Sequence, residues 1–213
     1  MKKYQRHLYP ILLSILLIGL IGATAIKQQW VYVKWVVDGD TIILGDGRHV
    51  RFIGINAPEI AHEGNKAEPF GYTAKKYSQH LLGSKKVRLE FDKEIHDRYG
   101  RLLGYIFLSN GTFANKIVLE KGYAYVLTRK PNVKYERTLL QSQRDAMSKR
   151  RGLWKNWKEK EGEYIGSEKS RRFHSKKCSY GKRIGKRNRI IFKTKWDAFW
   201  SGFAPCRKCL AGG

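Results

Sequence analysis

Five short segments of strand-like composition limit the folds open to this chain. They are rich in β-branched and aromatic residues and are bounded by turn residues, which is typical of β-strands. They lie at 30–37, 41–44, 48–55, 87–91 and 102–108. Three segments with apolar residues at helical spacing lie between and after them, beginning near Phe70, Phe113 and Tyr135. Short strands with inserted helices predict a small closed β-barrel with helices, an α+β fold, rather than a parallel sheet.

The chain is strongly basic, with a formal net charge of +25. Such a charge attracts polyanions, which include nucleic acids, anionic membrane surfaces and acidic cell-wall polymers. Residues 29–166 carry both signs of charge, whereas residues 167–213 carry 14 Lys or Arg against 2 Asp or Glu. The middle of the chain therefore has the charge balance of a folded enzyme. The tail, with a net charge of +12, is expected to contact a polyanion.

The N-terminus has the pattern of an export signal. Lys2 and Lys3 precede an apolar run at 11–26 that contains no charged residue, and the small residues at 23–25 fit a cleavage site. The run is short for a membrane-spanning helix, which needs about 20 apolar residues. Residues 1–28 are therefore predicted to be a signal peptide or an N-terminal membrane anchor. Either alternative places the rest of the chain outside the cytoplasm, secreted or anchored to the membrane.

Three polar clusters have the composition of a phosphodiester-cleaving site. The first, at 38–41, sets two carboxylates on a tight turn; the second, at 51–59, runs from Arg51 on a strand to Glu59 beyond its end; the third, at 97–101, is a turn with two arginines. A hard divalent cation prefers oxygen ligands, phosphate oxygens suit guanidinium groups, and an attacking water needs a carboxylate. Each cluster alone has a plainer interpretation, as a turn, a surface ion pair or a solvated carboxylate.

Taken together and in order, these clusters resemble the staphylococcal nuclease, or thermonuclease, family. The resemblance covers residues 34–154. The matching motifs are VVDGDT at 36–41, RFIGINAPE at 51–59, EPFG at 68–71, FD at 91–92, DRYGRLLGY at 97–105 and GLW at 152–154. The resemblance implies a five-stranded OB-fold nuclease domain. It also implies Ca²⁺-dependent hydrolysis of DNA and RNA that leaves 3′-phosphates.

The resemblance assigns the calcium site to Asp40, Asn56 and the backbone carbonyl of Ala57. Asn56 stands where the best-known member of the family has an aspartate, so it offers an oxygen but no charge. We therefore expect calcium to bind more weakly here. Ala57 replaces a threonine of that member and keeps only the backbone carbonyl.

The resemblance also assigns the catalytic groups. Glu59 is the general base or the residue that orients the attacking water, and Arg51 and Arg101 bind the phosphate and stabilise the transition state. Tyr99 contacts a nucleotide phosphate. The tyrosines that stack on substrate in the best-known member are not evident, because the equivalent stretch at 127–129 reads Leu-Thr-Arg.

All three cysteines lie in the tail, in a pattern that predicts zinc. His174 and Cys178 are four positions apart, and Cys206 and Cys209 form a C-x₂-C pair, with 27 residues between Cys178 and Cys206. Two close pairs of N and S ligands suit a tetrahedral, structural Zn²⁺ site. The alternative is a Cys206–Cys209 disulfide with Cys178 free. The tail resembles the small zinc module of Ada-type DNA-repair proteins and, being so basic, is a candidate auxiliary grip on nucleic acid.

The predicted organisation has four parts: 1–28, the signal or anchor; 29–157, the nuclease domain; 158–163, a linker; and 164–213, the zinc module. Because the barrel is expected to be complete by Trp154, the tail should be separable from it. DNA and RNA are the expected partners, with a membrane contact only if the N-terminal segment is retained, and the chain is expected to be a monomer. Two other functions stay open: a catalytically inactive OB-fold binding protein, and a surface adhesion protein held by its charge.

Overall fold

The computed structural model describes residues 30–61, 66–159 and 161–210. The predicted N-terminal signal or anchor lies outside these residues. No helix within the described ranges has the length and apolar character needed to cross a membrane.

A closed barrel forms the first half of the molecule. Its strands are taken from β1 (Trp30–Asp38), β2 (Thr41–Leu44), β3 (His49–Phe52), β4 (Gly54–Asn56), β5 (Lys86–Glu90) and β6 (Leu102–Leu108). All of these except β4 close in the order β1, β2, β3, β6, β5. Neighbours are antiparallel except β3 and β6, which are parallel. This confirms the predicted five-stranded OB-fold barrel.

The barrel interior is apolar and is covered by helices. The helices are α1 (Gly71–Leu82), α2 (Ala114–Glu120) and α3 (Glu136–Ser148), within a few residues of their predicted places. Side chains that are almost wholly buried form one cluster between barrel and helices. Among its members are Ile42, Leu44, Val50, Phe52, Val87, Ile106, Val118 and Leu139.

The segment predicted as one strand at 48–55 is divided in two. Gly54 has a φ of 80°, and a Cβ there would lie 2.4 Å from Leu139 Cδ1. This left-handed residue turns the chain out of the barrel. β4 then pairs with β7 (Tyr125–Leu127), a strand that the sequence did not predict. The turn matters for function because it directs residues 56–59 towards the barrel end that carries Asp40.

The tail folds as a second sheet with short helices. Its strands are β8 (Tyr164–Ser167), β9 (Arg172–Ser175), β10 (Arg189–Phe192) and β11 (Ala204–Pro205), and its helices are α4 (Ser179–Lys182), α5 (Lys195–Trp200) and α6 (Arg207–Leu210). The strand order is β10, β8, β9, β11. β11 runs parallel to β9, and the Cys206 N–H donates to the Phe173 carbonyl at 2.8 Å. The two halves of the predicted zinc site are thereby brought together.

An aromatic core joins the tail to the barrel half. Trp154 is fully buried, and its ring lies 5.0 Å from that of Phe199 on α5. Phe199 also stacks on Tyr125 of β7 at 4.8 Å. In addition, the Gln143 side chain on α3 donates to the Phe199 carbonyl at 2.5 Å. The boundary at 158–163 stays a prediction, but the apolar cores on its two sides are packed against each other.

Candidate active site and metal centre

The tight turn between β1 and β2 presents Asp40. The Asp40 N–H donates to Asp38 Oδ1 at 2.9 Å, which closes the turn. A Cβ on Gly39 would lie 2.5 Å from the Ala57 Cβ, so only glycine lets the turn approach residue 57 this closely. The Ser78 hydroxyl on α1 holds the Gly39 carbonyl at 2.8 Å.

The Asp40 carboxylate is buried, with 2 % of the residue exposed. Its Oδ2 accepts from the Ala57 N–H at 2.5 Å and from Arg51 Nη2 at 3.0 Å. Burial raises the pKa of Asp40 to about 7, although the Arg51 guanidinium opposes the shift. A cation bound beside this buried carboxylate would stabilise its charged form.

Asn56, at the end of β4, lies beside Asp40 and Ala57. Its Nδ2 donates to the Ala57 carbonyl at 3.4 Å. Its Oδ1 accepts from Arg172 Nη2 at 3.3 Å and from Arg207 Nη2 at 3.1 Å. The predicted ligands are therefore neighbours, and carboxylate, amide and backbone oxygens are the donors that a hard cation such as Ca²⁺ prefers. The two arginines at Asn56 were not predicted.

The backbone of Glu59 is clamped by the EPFG motif. Its N–H donates to Glu68 Oε2 at 3.0 Å, and its carbonyl accepts from the Glu68 N–H at 2.9 Å. A Cβ on Gly71 would lie 2.2 Å from that carbonyl oxygen, which explains the glycine at the start of α1. The Glu59 carboxylate forms an ion pair with Arg207. Burial raises the pKa of Glu59, and the positive charge of Arg207 opposes this.

The DRYGR turn holds Arg101 through Asp97. Asp97 Oδ2 accepts from Arg101 Nε at 2.8 Å, and Oδ1 accepts from the backbone N–H groups of Tyr99 and Arg101 at 2.9 and 3.1 Å. Although burial opposes it, these hydrogen bonds lower the pKa of Asp97. Tyr99 is 68 % exposed, and its hydroxyl accepts from Arg98 at 2.5 Å.

One cleft of about 1020 Å³ collects the candidate side chains. Asp40, Arg51, Asn56, Glu59, Tyr99 and Arg101 all line it. Ala57 contributes through the backbone contacts described above. The same cleft is also lined by three arginines that the sequence did not predict as site residues: Arg129, Arg172 and Arg207. For Arg172 and Arg207 no sequence signal was available, because their position depends on how the tail packs.

The tail holds a second candidate metal centre. The ligand atoms of His174, Cys178, Cys206 and Cys209 all lie within 4.8 Å of one another, and Cys178 Sγ is 3.5 Å from His174 Nδ1. Tetrahedral zinc with bonds of about 2.0–2.3 Å sets its ligand atoms at similar separations. All three cysteines are unpaired thiols, which favours zinc over the Cys206–Cys209 disulfide. Burial, and then the nearby Arg172 charge, lower the pKa of His174, which favours the neutral imidazole that binds metal.

A family match falls within the barrel half of the chain, which carries most of the residues that line the cleft. The family described as staphylococcal nuclease homologue matches residues 49–156. The chain is 36 % identical over 138 residues to the thermonuclease of Staphylococcus hyicus, covering 63 % of this chain and 81 % of that protein. It is 35 % identical over 136 residues to the thermonuclease of Staphylococcus intermedius, covering 62 % and 80 %. It is 33 % identical over 123 residues to endonuclease YncB of Bacillus subtilis (strain 168), covering 55 % and 58 %.

Proposed function

The chain belongs to the staphylococcal nuclease homologue family, and we propose that it is an exported, Ca²⁺-dependent member that cleaves DNA and RNA and leaves 3′-phosphates. Its thermonuclease and endonuclease relatives make it a hydrolase of the endonuclease class. The proposed calcium-dependent cleavage is supported by one observation: the candidate metal ligands and catalytic groups line one cleft. These residues are Asp40, Asn56, Glu59, Arg51 and Arg101. A binding module that does not cleave has no need of this combination of groups.

Asp40, Asn56 and the Ala57 carbonyl would hold the calcium ion. When bound, the ion neutralises phosphate charge and polarises the phosphorus for attack. The oxygen-only donor set and the buried Asp40 carboxylate support this assignment. Asn56 adds no charge and already accepts from two arginines, which supports a weaker calcium site than an aspartate would provide.

The side chains around the calcium position would activate the attacking water and bind the phosphate. Glu59 orients the attacking water and accepts its proton, a role suited to a carboxylate of raised pKa. Arg51 and Arg101 bind the scissile phosphate with their guanidinium forks and stabilise its transition-state charge. A 3′-phosphate product requires the 5′-oxygen to leave, and Arg101 would lie nearest to it. The exposed Tyr99 contacts a neighbouring nucleotide phosphate.

The tail would bind one structural Zn²⁺ through His174, Cys178, Cys206 and Cys209. Four protein ligands leave no open coordination position, so this ion takes no part in hydrolysis. A tail this short needs a bound metal ion to stabilise its fold.

Export is proposed from the pattern of residues 1–28 alone, with cleavage or retention of the segment as alternatives. The remainder of the chain would then act outside the cytoplasm, as a monomer, on nucleic acid that its positive charge attracts.

A digestion assay tests the proposal. Purified protein lacking residues 1–28 should degrade denatured DNA and RNA with Ca²⁺, stop in excess EGTA, and recover when Ca²⁺ rather than Zn²⁺ is added back. Glu59→Gln should remain folded and bind DNA without cleaving it. Undiminished cleavage in EGTA would refute the calcium requirement. Binding of DNA without cleavage at any Ca²⁺ concentration would favour the catalytically inactive OB-fold alternative.

A further inference from the structure

Arg207 belongs to the tail but reaches into the nuclease cleft. It follows Cys206 directly, inside the C-x₂-C pair of the candidate zinc centre. Its Nη2 donates to Asn56 Oδ1 at 3.1 Å and pairs with the Glu59 carboxylate. The side chain stays 47 % exposed, so the guanidinium is accessible from the cleft.

Arg172 accompanies it from β9. Its Nη2 donates to Asn56 Oδ1 at 3.3 Å, and its Nη1 donates to the Pro205 carbonyl at 2.6 Å. Both acceptors are neutral. Arg207 donates to the same Asn56 oxygen, so the two guanidinium groups lie side by side. A guanidinium held among other guanidiniums with neutral partners is stabilised when an anion arrives.

Both arginines lie next to ligands of the candidate zinc centre in the chain. Arg172 lies two residues before His174, and Arg207 lies one residue after Cys206. β9 and β11 pair in parallel between them, with Pro205 opposite Phe173. The tail fold that brings the four ligands together therefore also directs both arginines to Asn56 Oδ1.

The cleft has more cationic groups than its acids can neutralise. Its arginines are Arg51, Arg98, Arg101, Arg129, Arg172 and Arg207. Arg51 and Arg101 are assigned to the scissile phosphate and are held by Asp40 and Asp97. A nucleic-acid strand carries further phosphates beside the one that is cleaved, and each arginine that contacts one of them adds to affinity.

We propose that Arg207 and Arg172 form a second phosphate subsite, supplied by the tail, which binds a phosphate adjoining the scissile one. The inference rests on the proposed nuclease function and extends its substrate site. Without substrate, Arg207 pairs with the Glu59 carboxylate and donates to Asn56 Oδ1. When a strand binds, the Arg207 guanidinium turns to the phosphate oxygens. Their negative charge and their spacing suit a bidentate contact with a guanidinium. The subsite favours strands of several nucleotides over a substrate with a single phosphodiester bond.

Lys208 supplies a matched control for the test. Lys208→Ala removes the same charge from the same C-x₂-C pair. The Lys208 ammonium lies 5.0 Å from the Tyr180 ring centroid, and Lys208 is not among the residues that line the cleft. Zinc content is measured first for wild type, Arg207→Ala, Lys208→Ala and the double variant Arg207→Ala/Arg172→Ala. Variants that keep the zinc content of wild type have an intact tail and are compared in the two readouts.

The first readout is binding of a fluorescent single-stranded oligonucleotide in buffer without calcium, by anisotropy over a range of salt. The slope of log K against log salt should fall by about 0.7 in Arg207→Ala and about 1.4 in the double variant, one contact each, and stay unchanged in Lys208→Ala. Equal slopes for Arg207→Ala and Lys208→Ala would overturn the subsite. A double variant that matches Arg207→Ala would remove Arg172 from it.

The second readout is cleavage with calcium. At saturating calcium, Arg207→Ala should raise KM for the oligonucleotide roughly tenfold relative to its effect on KM for a dinucleotide with one phosphodiester bond. Equal losses on both substrates would place Arg207 at the scissile phosphate instead. Faster cleavage with an unchanged salt slope would make Arg207 an inhibitory contact. A wild type that binds but does not cleave contradicts the nuclease function, and the binding readout still decides the subsite.

Discussion

At the scale of single residues, the two arginines assigned to the scissile phosphate are each held by a carboxylate. Arg51 pairs with Asp40 at 3.0 Å and also donates to the Phe52 carbonyl at 2.6 Å. Arg101 pairs with Asp97 at 2.7 Å. These partners fix the guanidinium planes before substrate arrives, and such preorganisation makes a donor effective in the transition state.

Arg101→Lys should therefore be severe although it keeps the charge. Lysine lacks the planar fork and cannot serve Asp97 and a phosphate together. We expect kcat to fall by about 10²-fold, as for loss of one positioned donor. Arg48→Lys is the control, because Arg48 pairs with Asp46 at 2.7 Å in an exposed turn outside the cleft. Steady-state kinetics that show equal, small effects for both variants would remove Arg101 from the site.

Asn56→Asp should lower the calcium concentration needed for half activity by roughly fivefold or more, because it adds a unit charge beside Asp40. Arg207 competes for that oxygen, so Asn56→Asp combined with Arg207→Ala should lower it further. Calcium titrations of cleavage rate measure both. An unchanged midpoint in the single variant would mean that residue 56 does not face the ion.

At the scale of elements, the sequence predicted what depends on local pattern. The barrel strands and α1 to α3 were found because each carries its own periodicity and its own turn residues. β7 was missed, since three residues are too short to show a period and its existence depends on pairing with β4. The division at Gly54 was missed for a related reason: the glycine is explained only by Leu139 across the core.

Gly71→Ala tests how the start of α1 positions Glu59. The added Cβ would meet the Glu59 carbonyl at 2.2 Å, so the backbone at Glu59 must move. We expect a loss of about 1–3 kcal/mol in the free energy of unfolding and a lower kcat. Gly185→Ala is the control, because a Cβ there meets nothing within 4 Å and the residue has no positive φ. Denaturant unfolding and kinetics report the two effects, and a normal kcat in Gly71→Ala would show that Glu59 does not depend on this contact.

At the scale of the whole molecule, the site combines short-range and long-range parts. Asp40, Glu59 and Arg101 were predictable because they lie in motifs of a few residues, and the cleft collects them as expected. Arg172 and Arg207 meet Asn56 across 116 and 151 residues of sequence. No local pattern encodes such contacts; they follow from the aromatic core that sets the tail against α3 and β7.

The sequence predicts that the nuclease half folds without the tail, and the aromatic core bears directly on that prediction. Trp154 is fully buried, and the aromatic rings of Tyr125 and Trp157 lie against Phe199 of the tail. Truncation after Gly162 would expose these rings to water. Removal of a single large core side chain costs about 3–5 kcal/mol, and the truncation removes several.

Truncation should therefore lower the thermal midpoint of the nuclease half, shift tryptophan emission to longer wavelength and weaken binding to DNA. Phe199→Ala should reproduce the loss of stability within the intact chain, by about 3–5 kcal/mol. Trp200→Ala is the matched control, because Trp200 is 38 % exposed and its ring contacts Arg144 at the surface. Calorimetry should show one transition for wild type, since the two cores are packed together. A truncated protein with an unchanged midpoint and unchanged emission would instead establish a barrel that folds independently of its tail.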